Sequence, residues 1–511
     1  MDYLSNKNID KNIKRNKNVV FMGSAVITAG VAVWGIMENH SFAETADQLM
    51  EGLKQNFSWL YLGTMLFFVL FVLGMAISPF GKIRLGADDE KPKYTTVSWF
   101  AMLFAAGMGI GLVFWGVAEP LSHYVRPMNG VEPQTAEALH FSIRSCFMHW
   151  GIHPWACYAV MGLGLAYFQF RRKEPVLVSS ILKPVLGKKL FGCIVGKSIN
   201  IYTVVLTAVG VATSLGMGCL QICGGLEYLF HIPNRTVTWV VVIALICMAY
   251  LKSSLSGVGK GIKRLSDINL LLFTGLMAAA LVIGPGEKII HLMTVGIKDY
   301  IIHFFPDSLR LSSNGENGWI HNWRVFYWAW WLSWAPFVGV FIARISKGRT
   351  IREFIMGVIV LPTLVSVLWF SIFGGLTINV TANFTQDQIT EMLASVQTIL
   401  FHVFEQYQFG ILLSLFAIVL LGTFFITSAD SATFVLAMLT SDGKLDPPNN
   451  KKMFWGILIA VVAFALISSG NISVIQTVAI VMAFPYLFIL LLVCVNLIMA
   501  LYKEQKSGKT F

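Results

Sequence analysis

Three stretches carry residues whose types and spacing can do chemistry. The first is Ala105-Ala106-Gly107-Met108-Gly109-Ile110-Gly111. Each glycine costs a helix about 1 kcal/mol against alanine. Close packing of helices would want the small residues on one face, yet positions 107, 109 and 111 do not share one. The spacing predicts an unwound stretch. Freed backbone N–H groups there can meet an anion and freed carbonyls a cation, as in discontinuous membrane helices.

The second feature is aromatic. Trp328-Ala329-Trp330-Trp331-Leu332-Ser333-Trp334-Ala335-Pro336-Phe337 and His149-Trp150-Gly151-Ile152-His153-Pro154-Trp155-Ala156-Cys157-Tyr158 both run inward along apolar segments. Aromatics near helix ends commonly anchor at the membrane interface. Here Trp330, Trp334, Phe337 and Phe341 fall on one helix face, and Trp150, Trp155 and Tyr158 lie within two turns of each other. Ring faces without partner carboxylates suit a cation that cannot donate hydrogen bonds, a quaternary ammonium above all. The third feature is Thr423-Phe424-Phe425-Ile426-Thr427-Ser428-Ala429-Asp430-Ser431. Hydroxyls in apolar helices commonly bond back to carbonyls. An ionisable residue at depth nevertheless marks function by default, and hard oxygen ligands suit Na⁺.

Other titratable residues carry less. His149 and His153 have the i, i+4 spacing of a metal pair, but no acid accompanies them in the same turn and Pro154 disturbs the helix, so they read as packing histidines. Glu119 and Arg144 form either an ion pair or a gate. The seven cysteines lie in apolar stretches without a CxxC and read as reduced small hydrophobes.

The elements that must position these residues follow from composition. Of 511 residues, 56% are hydrophobic and only 13% charged, with mean hydropathy +0.68. Soluble chains carry roughly 25% charge, so a soluble multidomain enzyme and a disordered chain are excluded. A helical span needs ~20 apolar residues. Twelve candidates occur, at about 19–37, 57–78, 97–121, 141–169, 198–228, 236–251, 268–285, 325–343, 354–376, 410–438, 453–469 and 472–501. With twelve spans, 29 of the 38 Lys and Arg fall on one side together with both termini. That side is the cytoplasm by the positive-inside rule. The net charge of +11 thus needs no nucleic acid. Residues 40–56 read as a short surface helix. Residues 287–305 read as an amphipathic surface helix that Pro306 ends.

The segments GMGIGLVFWGVAEPL (107–121), HWGIHPWACY (149–158), FYWAWWLSWAPFVGVFIARISKGRTIREF (326–354) and FFITSADSATFV (424–435) together resemble the betaine/carnitine/choline transporter family, over nearly the whole chain. The likeness is greatest to its Na⁺-coupled glycine betaine branch. The resemblance implies an all-α integral membrane protein of 12 transmembrane helices with a LeuT-type inverted repeat. Its parts would be a basic arm (1–18), peripheral spans one and two (19–96), a first repeat of spans three to seven (97–286), an external helix and loop (287–320), a second repeat of spans eight to twelve (321–502) and a short tail (503–511). It implies import of glycine betaine or a related quaternary-ammonium zwitterion across a bacterial inner membrane, coupled to Na⁺, with no covalent chemistry and no cofactor. The alternative is a carnitine, choline or proline betaine carrier working by H⁺ symport or exchange.

Carried over by motif, the substrate site would comprise Trp150, Trp155, Tyr158, Trp330, Trp331 and Trp334, with the carboxylate facing Met108, Gly109 and Gly111. One Na⁺ would bind the backbone of Ala105 and Met108, the Phe424 backbone and the hydroxyls of Thr427 and Ser428. A second Na⁺ site would use Thr207 and Phe337, but Val211 stands where the branch has a second threonine. Gly111, where proton-coupled choline members carry an acid, favours a zwitterion. The family's trimers imply a homotrimer through the 287–305 helix. The short tail, unlike the long basic tails of osmosensing members, implies weak osmotic activation.

Overall fold

The computed structural model describes residues 18–107, 109–191, 194–255, 261–311, 317–468 and 472–506. These residues form helices and turns; among them the one pairing of extended chain is an isolated antiparallel bridge between Arg84 and Thr350. Among the described residues ten helices are long and apolar enough to cross a membrane. They supply spans one, two and five to twelve. The two remaining spans are each built of two shorter helices in line, Thr96–Gly107 with Ile110–Val125 for span three and Ala136–Trp150 with Ile152–Ala166 for span four.

Three local expectations change. Span four is not one helix, because Gly151 leaves helical geometry at φ −95° and ψ −126°. A Cβ there would lie 2.4 Å from the Phe147 carbonyl oxygen. Pro154 removes a further N–H, and Ile152 N–H donates to Tyr300 Oη at 3.1 Å instead. The polar stretch 40–56 is no separate helix; it continues into span two as one 39-residue helix, Asn39–Ile77. The surface helix does not stop at Pro306 but runs Gly286–Leu309. Its last turn is held from outside. Arg144 Nε donates to Asp307 Oδ2 at 3.1 Å, Arg324 donates to the Asp307 carbonyl, and Ser308 Oγ lies 3.0 Å from His153 Nε2.

Helix neighbours follow a two-fold pattern. Span three packs on span nine, and span eight on span four. Span five packs on span eleven and span twelve, and span ten on span six and span seven. Spans five and ten, and spans six and eleven, pack on each other. Exchanging spans three to seven for eight to twelve returns the same neighbours, the relation an inverted repeat of five and five requires. Span five is the axis of the bundle, its most apolar window wholly buried, whereas that of span six is 17% and that of span seven 22% buried. Apolar side chains left outside a membrane bundle face lipid.

Segments on the basic side meet one another. Residues 83–93 are bonded to the turn between spans eight and nine, through Leu85 N to Arg349 O at 2.8 Å and Gly348 N to Leu85 O at 2.9 Å. Arg171 binds Asp88 at 2.7 Å and also Glu504 near the end of span twelve. The ammonium of Lys347, hydrogen-bonded to Glu90, holds that carboxyl below the usual carboxylate range.

Candidate functional site

Trp150 and Tyr158 of span four come together with Trp330 and Trp331 of span eight as one box. Trp330 and Trp331 stack face to face, centroids 4.8 Å apart and planes 10° apart. Trp150 stands edge-on to both, at 6.0 Å from Trp330 and 4.9 Å from Trp331. Tyr158 meets Trp331 at 6.3 Å, and Trp155 meets Tyr158 at 5.6 Å. Trp334 lies a turn further along, against Phe337 at 5.5 Å. Each indole N–H of the main rings is spent on the protein. Trp150 donates to Glu119 at 2.8 Å, Trp331 to the His149 carbonyl at 2.9 Å, Trp334 to the Gly210 carbonyl at 2.8 Å and Trp330 to Ser214 at 3.3 Å. Ring faces and carbon edges are left to line the box, the geometry a hydrogen-bond-free cation selects.

Span three closes the box with its glycines. A Cβ on Gly111 would come 2.8 Å from Trp330 Cη2 and 3.0 Å from Trp150 Cη2. Only glycine lets the backbone stand against both indoles. Gly109 precedes the second half of span three in extended geometry, φ −151° and ψ −152°. Its Cβ position faces Ser428 Oγ at 3.7 Å, which brings the glycine stretch beside span ten. Met108 lies outside the described residues, and Ala105 is described only as part of Thr96–Gly107.

The hydroxyl of Thr427 donates back toward the carbonyls of Thr423 and Phe424, 3.1 Å to each, and accepts from Asn269 Nδ2 at 2.8 Å. Asn269 is buried in span seven and also reaches the Thr423 carbonyl at 3.3 Å. Thr427, the Phe424 carbonyl and Ser428 therefore bring together oxygens of the kind a hard cation takes, while Asn269 turns its amide N–H₂ to Thr427. Asp430, two residues on, is turned elsewhere, accepting from Ser253 Oγ of span six at 2.6 Å. Thr207 donates to the Thr203 carbonyl at 2.7 Å, and Val211 is buried on the same helix.

Glu119 is the functional residue that sequence reasoning left undecided. It is fully buried and does not pair with Arg144, which binds Asp307. Its Oε1 lies 2.6 Å from His149 Nδ1 and 3.2 Å from His123 Nε2. Its Oε2 accepts from Trp150 and from the Tyr327 hydroxyl. One carboxylate thus ties spans three, four and eight and fixes a box indole. His149 stacks on Tyr327 at 4.5 Å and His153 on Trp328 at 4.9 Å, so both pack against aromatic rings. Glu119, His123 and Cys146 lie close enough to hold an ion. Both Glu119 oxygens are engaged with donors there, and a 2.6 Å contact to His149 is hydrogen-bond distance. Among the described residues six cysteines are free thiols, five of them buried.

The chain matches the family described as BCCT, betaine/carnitine/choline family transporter, over residues 19–506. The glycine betaine transporter OpuD of Bacillus subtilis is 46% identical over 494 residues, 96% of this chain and 95% of the relative. A probable glycine betaine transporter of Desulfitobacterium hafniense is 40% identical, covering 96% of this chain and 99% of the relative. An ectoine/hydroxyectoine transporter of Virgibacillus pantothenticus is 38% identical, covering 96% and 98%.

Proposed function

The chain belongs to the betaine/carnitine/choline transporter family, and from that premise we propose that it imports glycine betaine or a close quaternary-ammonium zwitterion, driven by Na⁺ through alternating access. It is a multi-pass membrane transporter and not an enzyme. The observation that carries the reading is the stacked Trp330–Trp331 pair with Trp150 edge-on and Gly111 against it. The trimethylammonium sits against these rings and the carboxylate turns to the glycine stretch. Na⁺ binds between span three and the Phe424, Thr427 and Ser428 oxygens. Val211 supplies no oxygen, so the second ion at Thr207 and Phe337 is weak or missing. The basic face is cytoplasmic and holds both termini. The Gly286–Leu309 helix buries Ile289, Leu292, Gly296 and Tyr300 and leaves Ile290, Ile301 and Phe305 exposed, a face suited to a second copy in a homotrimer. A second reading, ectoine transport, rests on the Virgibacillus relative.

Intrinsic tryptophan fluorescence tests the box. Glycine betaine should give a saturable change, and Trp331→Leu should weaken it by about 1–2 kcal/mol, roughly ten-fold, if a desolvated cation–π contact is lost. Unchanged affinity would remove Trp331 from the site.

A further inference from the structure

Span five carries a stripe that faces the box and, further along, the start of the second half of span three and the helix Ile399–Glu405. Trp334 donates to the Gly210 carbonyl, Trp330 to Ser214 Oγ, and a Cβ on Gly218 would lie 2.9 Å from Ile110 Cδ1. Further along, a Cβ on Gly225 would lie 2.4 Å from Phe401 Cζ, in the helix Ile399–Glu405 that covers this end of the bundle. At 100° per residue, positions 210, 214, 218, 221 and 225 span an arc of roughly 80°. Gln221 falls inside that arc, between the contact with the start of the second half of span three and the contact with the covering helix.

Gln221 is fully buried, and neither its amide oxygen nor its amide nitrogen has a hydrogen-bond partner among the described residues. Buried polar groups are normally satisfied, and an orphaned amide destabilises the fold that holds it. Leucine would fill the same space without that penalty. In the box, ring faces and carbon edges leave the carboxylate to the glycine stretch, and outside the box a zwitterion's carboxylate needs a further donor. An amide N–H₂ beyond the box, on the stripe facing span three, is such a donor.

We infer that Gln221 is a specificity-determining residue that hydrogen-bonds the substrate's carboxylate in the half of the path facing away from the basic face. The inference rests on the zwitterion reading above. Its amide is orphaned while the path is shut and paired when substrate is present. It separates carboxylate-bearing ammonium compounds from those without a carboxylate, such as choline.

The test is labelled glycine betaine uptake competed by unlabelled glycine betaine or choline, in wild type and Gln221→Leu. Loss of a hydrogen bond to a charged group predicts a KM for glycine betaine raised about ten-fold or more, with choline inhibition changed less than about two-fold. Gln221→Glu should lose more, since two carboxylates repel. If Gln221→Leu fails to reach the membrane, the near-isosteric Gln221→Met carries the same expectation. Equal weakening of both compounds, or no change in either, overturns the role. Wild-type protein that takes up no glycine betaine overturns the functional reading itself, a result separable from an unmoved variant.

Discussion

Glu119 Oε2 accepts the Trp150 N–H at 2.8 Å while Oε1 sits 2.6 Å from His149 Nδ1, so both oxygens of one buried carboxylate are engaged from another helix. Glu119→Gln replaces one acceptor oxygen by an N–H₂ in a ring of donors. The Trp150 N–H cannot turn to accept, so a buried group is left unpaired at about 1–3 kcal/mol. The expected outcome is a raised KM for glycine betaine, about ten-fold, with the Na⁺ dependence of uptake unchanged. A wild-type KM would mean that packing alone holds Trp150. The tryptophans, the glycine triplet and the span-ten hydroxyls were legible in the sequence because their chemistry is written in residue type and local spacing. The partners of Glu119 were not, since Tyr327 lies 208 positions away and only the fold brings it near. Asn269 was legible only as a lone amide in an apolar run; its bond to Thr427 crosses from span seven to span ten.

At the scale of elements, the break in span three lies where three glycines at alternate positions predicted it. The break in span four was less visible, because one Gly151 and one Pro154 in a helical pattern are individually tolerated. What decides it is the Tyr300 hydroxyl that takes the Ile152 N–H from the surface helix. The same helix runs past Pro306 because ion pairs and hydrogen bonds from spans four and eight secure its last turn. Gly111→Ala tests the junction of element and box. With Trp330 at 2.8 Å and Trp150 at 3.0 Å from the new methyl, overpacking costs about 1–3 kcal/mol and shifts an indole. Substrate uptake should fall by at least about ten-fold while the protein still reaches the membrane and elutes as wild type. Wild-type uptake would show that the indoles give way freely.

For the whole molecule, charge asymmetry and apolar run length give the twelve spans, and the two-fold list of helix neighbours supplies what no run length could. Span five, buried along its apolar window, packs on spans ten, eleven and twelve of the other half. The aromatic box proposed for substrate and the span-ten hydroxyls proposed for Na⁺ both adjoin the break in span three, Gly111 at the indoles and Gly109 at Ser428. Coupling by alternating access needs that adjacency, since substrate and ion then favour one and the same arrangement of spans three, eight and ten. The most direct measurement is labelled glycine betaine uptake into proteoliposomes under an inward Na⁺ gradient and with Na⁺ replaced by K⁺, alongside the Thr427→Ala/Ser428→Ala variant. Concentrative uptake is expected with Na⁺ only, and none in the variant. Equal uptake in K⁺, or Na⁺-driven uptake retained by the variant, would contradict it.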